Sequence, residues 1–216
     1  MEGTDGTLWV GTHGDGLVGL APGRTRTVSR RDGLPGDSIR ALCRDPDGGV
    51  FVGTGDGAAR VDPAGAVHPL ADGRLPKAGV ELLHLDRRGA LWISFRNGAL
   101  YRIAPKGAGA AEEVRLQGVA SVLALLEDRE GVLWFGTRRG KVLRTSGDTV
   151  EDLSPVFGLP AKPVNALIQD SSGAVWAGTD AGVFRLYEGR VSRFDATNGL
   201  SDDQVNRVRE DHEGNV

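Results

Sequence analysis

The residues able to do chemistry in this chain are few and scattered. Four histidines, His13, His68, His84 and His212, could ligate a metal or move a proton, but none pairs at metal-ligand spacing. Cys43, the single cysteine, lies among apolar residues in Ala41-Leu42-Cys43 and reads as a small core side chain rather than a nucleophile. One cysteine also excludes an internal disulfide and a cysteine-based zinc cluster. Asp45-Pro46-Asp47-Gly48 opens like a calcium loop but lacks the later ligands, so a tight turn is expected. Gly53-Thr54-Gly55-Asp56-Gly57 is rich in glycine without the lysine and helix of a phosphate cradle. Arg138-Arg139-Gly140-Lys141 is a short basic run that reads as a solvated turn. Neither Gly-x-Ser-x-Gly nor His-Glu-x-x-His occurs, so no catalytic residue, metal site or cofactor is expected.

Composition narrows the classes further. Glycine supplies 33 of 216 residues, about twice the usual share of roughly 7%. With 39% hydrophobic residues and a net charge of −3, the chain can bury a core and should fold. That charge argues against bulk nucleic-acid binding. No apolar run approaches 18 residues, so no membrane-spanning helix is expected. Met1-Glu2-Gly3-Thr4-Asp5 is acidic and polar, so no signal peptide is expected within this chain.

The glycines are periodic. Those preceding an apolar-aromatic run fall at Gly6, Gly48, Gly89, Gly131, Gly173 and Gly214, 41 or 42 residues apart. Three residues before them stand Asp45, Asp86, Asp128, Asp170 and Asp211; three after stand Trp9, Phe51, Trp92, Trp134 and Trp176. Two further on is a tiny residue, Gly11, Gly53, Ser94, Gly136 or Gly178. Nine before is a β-branched one, Ile39, Val80, Val122, Val164 or Val205.

Each repeat reads as four short strands. The first, such as 38–43, ends in Asp-x-x-Gly, a hairpin turn in which the aspartate accepts from backbone amides and glycine takes positive φ. The second strand is typified by residues 8–12; a second glycine turn follows at Gly16, Gly57, Gly98, Gly140 and Gly182. The third strand is typified by 99–103 and 183–186, and a weaker fourth by 66–68, 149–151 and 190–194. Residues 120–130, rich in Ala, Leu and Glu, would pass alone as a helix, but the repeat register makes their start a first strand. Four strands with a period near 42 residues mark an all-β fold, a β-propeller of four-stranded blades. The aromatic column should fill the space between blades, with the tiny residue letting neighbours approach.

The expected organisation is one propeller domain over 1–216, with repeats at about 1–32, 33–72, 73–116, 117–157, 158–197 and a partial 198–216. Residues 7–30 hold strands two to four and residues 204–211 a first strand. Joined, they would complete a fifth blade; the favoured alternative is an arc cut from a larger ring.

These strings resemble the two-component regulator propeller repeat, whose pattern is Gly-Leu-Pro-x-x-x-Val-x-Ala-Leu-x-x-Asp-x-x-Gly-x-Leu-Trp-x-Gly-Thr. It reads here from Gly33-Leu34-Pro35 through Ile39, Ala41, Leu42, Asp45 and Gly48 to Gly53-Thr54. It reads again from Gly158-Leu159-Pro160 through Val164, Ala166, Leu167, Asp170, Gly173 and Trp176 to Gly178-Thr179. The second full repeat departs, with Ser94-Phe95 for Gly-Thr. The resemblance implies the periplasmic or extracytoplasmic sensor segment of a bacterial signal transduction protein. Its partners would be downstream domains of the same polypeptide, a histidine kinase or a diguanylate cyclase.

Positions that diverge between copies are where recognition is expected, since the recurring ones build the fold. After the β-branched residue stand Arg40, Glu81, Leu123, Asn165 and Asn206. The second turn carries His13 and Asp15, Asp56, Arg96 and Asn97, Arg138 and Arg139, and Asp180. In propeller topology both sets lie at one mouth of the central channel, and loops on a rigid scaffold carry binding chemistry. The expected ligand surface is Arg40, Glu81, Asn165 and Asn206 with Arg96, Asn97, Arg138 and Arg139. A small polar ligand such as an oligosaccharide fragment would suit it; no nucleic acid or membrane contact is expected. Two alternatives stand beside this non-catalytic sensor. One is a propeller lyase resembling streptogramin lyases, which need a histidine and a divalent ion at the mouth, where only His13 lies. The other is a passive protein-binding platform.

Overall fold

Turn glycines every few residues leave apolar runs too short for a stable helix but long enough for a strand. The computed structural model describes residues 1–3, 6–105, 111–116, 119, 121–146 and 149–216. The loop 117–120 that lacks the Leu-Pro step lies, apart from Val119, outside the described residues. The chain forms two compact units, Met1–Arg115 and Leu116–Val216.

The first unit holds three antiparallel meanders. They are β1 (Leu8–Gly11), β2 (Leu17–Ala21) and β3 (Arg24–Val28); β4 (Ile39–Arg44), β5 (Val50–Thr54), β6 (Gly57–Val61) and β7 (Val67–Pro69); and β8 (Val80–Leu85), β9 (Leu91–Phe95), β10 (Leu100–Ile103) and β11 (Glu112–Glu113). The second unit holds two. They are β12 (Val122–Glu127), β13 (Leu133–Thr137), β14 (Val142–Ser146) and β15 (Thr149–Asp152); and β16 (Val164–Gln169), β17 (Val175–Thr179), β18 (Gly182–Tyr187) and β19 (Arg190–Phe194). These are propeller blades, each ladder joining strands consecutive in sequence. The helix-forming stretch after Ser121 is β12, paired with β13 from Val122 opposite Thr137 to Glu127 opposite Leu133. Cross-strand pairing overrides its local propensity. Among the described residues, helix is confined to loops: α1 (Ser154–Phe157) and 3-10 turns at Arg30–Asp32 and Ala71–Gly73. All three precede a Leu-Pro step, and Leu34 and Leu75 of those steps are buried.

What joins consecutive blades is a knob and a socket. A Cβ on Gly53 would lie 2.5 Å from Cγ1 of Val80, the β-branched residue that opens the next blade. Gly136 faces Val164 in the same way at 2.7 Å, and Gly11 faces Ile39 at 2.5 Å. These glycines lack a positive φ; it is close approach that requires them. Around each socket an apolar cluster spans both sheets. Trp9, Leu17, Val50 and Val52 form the first, Leu83, Leu91, Ile93 and Phe95 the second. In the second unit Trp134, Val142, Phe157, Val164 and Phe184 form the third.

The two terminal segments differ from the sequence expectation. Residues 204–211 form no strand. Val205 keeps its column, its N–H donating to the Thr179 carbonyl at 2.8 Å. The Asp-x-x-Gly turn also forms, with Asp211 Oδ1 accepting from Glu213 N and Asn215 N. Against β1, residues 1 and 2 lie where other blades have a first strand: Met1 N donates to the Trp9 carbonyl at 2.8 Å, and Trp9 N to the Met1 carbonyl at 2.7 Å.

Candidate functional site

In each four-stranded blade the ladder of the first strand slips by one residue at the same place. The slips fall between Ile39 and Ala41, Val80 and Leu82, Val122 and Ala124, and Val164 and Ala166. The skipped residues are Arg40, Glu81, Leu123 and Asn165, the divergent column. A bulge leaves one residue out of the ladder and re-aims its side chain. The knob must seat in the preceding blade while the rest of the strand keeps register with its own, and the skipped residue absorbs the mismatch. Divergence is tolerated there because neither ladder uses it.

The second turn is held rigid beside each bulge. Buried Thr54 Oγ donates to the Gly57 carbonyl at 2.9 Å, and Thr179 to Gly182 at 2.8 Å. In the divergent blade Phe95 replaces this threonine, fully buried and edge-on to Tyr101 at 5.9 Å. Asn97 takes over the turn, its Oδ1 accepting from Ala99 N at 3.1 Å. Asn97 therefore has a structural task besides its exposure.

Bulge and turn residues meet fifteen positions apart. Arg96 Nε donates to Glu81 Oε1 at 3.0 Å, with the Glu81 side chain only 15% exposed. Asn165 Nδ2 donates to Asp180 Oδ1 at 2.7 Å and to the Val205 carbonyl at 3.1 Å, tying the segment after the last blade to its bulge. Beside Arg40 the position is Gly55, which has no side chain to answer it, and the Arg40 guanidinium stays exposed with Nε 3.9 Å from where a Gly55 Cβ would stand. Arg138 and Arg139 are exposed on their turn, and Asn206 is exposed outside any strand. The first unit thus brings together Arg40, Glu81, Arg96 and Asn97. The second holds Asn165, Arg138, Arg139 and Asn206.

Sequence reasoning missed a recurring triad. The indole Nε1 of Trp92, Trp134 and Trp176 donates to Asp86, Asp128 and Asp170 at 2.9, 2.7 and 2.7 Å. Arg102, Arg144 and Arg185 lie over the same rings at 5.4–5.9 Å. An arginine nine or ten residues beyond the aromatic was the available signal. Where Phe51 replaces tryptophan, Arg60 turns to the aspartate instead, with Nε 2.6 Å from Asp45 Oδ2. Where Gly3 replaces the aspartate, Trp9 Nε1 is buried without a partner among the described residues.

One aspartate of these triads, Asp170, should make an acid-sensitive contribution to the fold. Burial pushes the Asp170 carboxyl up, but hydrogen bonds from Ser172, Trp176 and the Ala174 backbone together outweigh it and hold the carboxyl below its usual value. Its stabilisation is therefore complete above the unfolded value, about 3.9, and is lost as pH falls through the lower folded value. Urea melts between about pH 5 and pH 2 should show stability falling, and Asp170→Asn should flatten that slope. An unchanged slope would remove Asp170 from the account.

The remaining chemistry-bearing groups do not converge. Burial pushes the Cys43 thiol up, as expected for a side chain packed against the second cluster. His68 pairs with Asp62 at 2.9 Å, and His212 is exposed beyond the last blade. Among the described residues no group of three or more His, Cys, Asp or Glu is disposed to hold a metal ion. No helix among them is long and apolar enough to cross a membrane.

Against known proteins, residues 33–56, 116–139 and 158–181 match the family model described as two component regulator propeller. No curated protein matches the chain in sequence. Among solved structures, the extracellular domain of BT3049 from B. thetaiotaomicron, assigned as a hybrid two component system, aligns with a TM-score of 0.82 at 19% identity. The alignment covers 99% of this chain and 30% of that one. The corresponding domain of BT4673 from the same organism gives 0.68 at 16%, covering 99% and 35%. A streptogramin B lyase gives 0.78 at 14%, covering 99% and 72%. At such identities these likenesses show the fold, and the chain spans about a third of the two-component neighbours' length. Three segments that together make up a third of the chain therefore carry the two component regulator propeller repeat.

Proposed function

We propose that this chain is a ligand-sensing, non-catalytic segment of a bacterial two-component-type signalling protein, working outside the cytoplasm and passing its signal to downstream domains of the same polypeptide. The family and the extracellular neighbours support the setting. The observation that carries the ligand-binding part is the bulge repeated at one place in four blades, each presenting a different side chain beside a rigid turn. A scaffold that repeats everything but its re-aimed residues can read a small polar molecule such as an oligosaccharide fragment, in the first unit through Arg40, Glu81 and the turn partner Arg96. In the full-length protein, isothermal titration against neutral and acidic oligosaccharides should find a binder. Arg40→Ala should then weaken binding at least tenfold, about 1.4 kcal/mol, without changing the melting temperature. Normal binding by Arg40→Ala would place the ligand elsewhere.

The lyase neighbour favours a second reading, a propeller lyase. His13, exposed in the turn after β1, would be its catalytic candidate. Chromatographic conversion of a streptogramin B, abolished in His13→Ala, would establish the lyase and displace the sensor. An unchanged antibiotic after incubation with a divalent ion would remove it.

A further inference from the structure

The seams between neighbouring blades of the first unit differ at the end opposite the bulges, where the Asp-x-x-Gly turns lie. Between the first two blades the opening is about 120 Å³, because Trp9 fills it and Arg26 crosses it to donate to the Pro63 carbonyl at 3.2 Å. Between the second and third blades the equivalent opening is a cleft of about 780 Å³. Two changes open it. Phe51 stands in the tryptophan column, and His68, the ladder counterpart of Arg26, pairs with Asp62 rather than reaching across the seam.

The cleft is chemically two-sided. Its floor is hydrocarbon and ring, from Phe51, Leu70, Leu85, Leu91 and Ile103. Its acidic rim residues are already answered, since Arg60 reaches Asp45 at 2.6 Å and Asp47 at 3.6 Å. The facing turn adds two further cations, Arg87 and Arg88, both exposed. Ala71, on the cleft wall, holds a φ of 48°, a left-handed conformation unusual for a residue with a Cβ. A volume in this range with an apolar floor and a few charged groups at the rim has the make-up of a small-molecule site.

We propose that this cleft binds a small planar hydrophobic anion, its ring against Phe51 and its acidic group toward Arg87 and Arg88. The site is separate from the bulge column and stands whether or not the sensor reading does. The test uses 8-anilinonaphthalene-1-sulfonate, an aromatic sulfonate that fluoresces when its ring leaves water. Titrated into the native chain, it should saturate at one site per molecule. Phe51→Trp restores the residue of the other blades, with Asp45 in place to accept from the indole. It should weaken binding at least tenfold while circular dichroism and melting temperature hold. Arg88→Glu, an exposed change that fills nothing, should weaken binding at least threefold. No saturable binding to the parent would overturn the proposal. So would undiminished binding by Arg88→Glu, or by a folded Phe51→Trp.

Discussion

Trp134→Ala should cost about 3–5 kcal/mol, the usual loss on emptying a packed aromatic site. The ring is 5% exposed and packs with Val142, Phe157 and Val164 in a cluster built from both sheets of the second unit. Its removal also strips Asp128 of a 2.7 Å donor and Arg144 of the ring beneath it. Stability in repeat arrays is partly a sum of neighbour interfaces, so amide protection should fall in β12–β15 and β16–β19 together. Trp134→Phe should cost less than half as much, because the blade holding Phe51 already folds with an arginine supplying its aspartate. A melting temperature within about 1 °C of the parent for Trp134→Ala, where each kcal/mol is worth roughly 2–4 °C, would remove the ring from the interblade core.

Gly53→Ala should also be destabilising, although it adds a single methyl group. That methyl would stand 2.5 Å from Val80 Cγ1, 2.8 Å from Val80 Cβ and 3.3 Å from Ala41 Cβ. Val80 is fully buried and cannot retreat, so a loss of about 1–3 kcal/mol is expected from overpacking. Val80→Ala alone leaves a cavity and has a cost of its own. The double variant should be more stable than the sum of the two losses predicts, by about 0.5–3 kcal/mol, as for residues in direct contact. Additive losses would show that Gly53 and Val80 do not form one socket.

The parts legible in the sequence were those whose chemistry is local. Gly48 and Gly173 were readable as hairpin turns because only glycine takes their φ of 95° and 92° at no steric cost. The tiny residue between aromatic and threonine was readable as a place of close approach, and Gly53 and Gly136 prove to be sockets. Register was not legible. A slip at Arg40 or Asn165 leaves no mark on residue type, because a bulge position accepts any side chain. That same tolerance made those positions visible as the divergent ones. The Asp–Trp–Arg triad escaped because it joins a turn aspartate to two neighbouring strands, and residue types do not reveal the ladder register that sets each tryptophan opposite its arginine. Residues 204–211 carry the first-strand pattern, but pattern alone cannot supply the neighbour that makes a ladder.

The account turns on a division of labour: recurring positions hold the blades together, and skipped positions are free to serve recognition. A melting-temperature series over both columns tests it most directly. Arg40→Ala and Leu123→Ser change skipped residues; Trp134→Ala and Gly53→Ala change recurring ones. The account predicts that exposed Arg40→Ala stays within about 0.5 kcal/mol of the parent and that half-buried Leu123→Ser loses less than either seam variant, while the second pair melts several degrees lower. Skipped-residue variants melting as early as the seam variants would contradict it, because the bulges would then be part of what holds the blades.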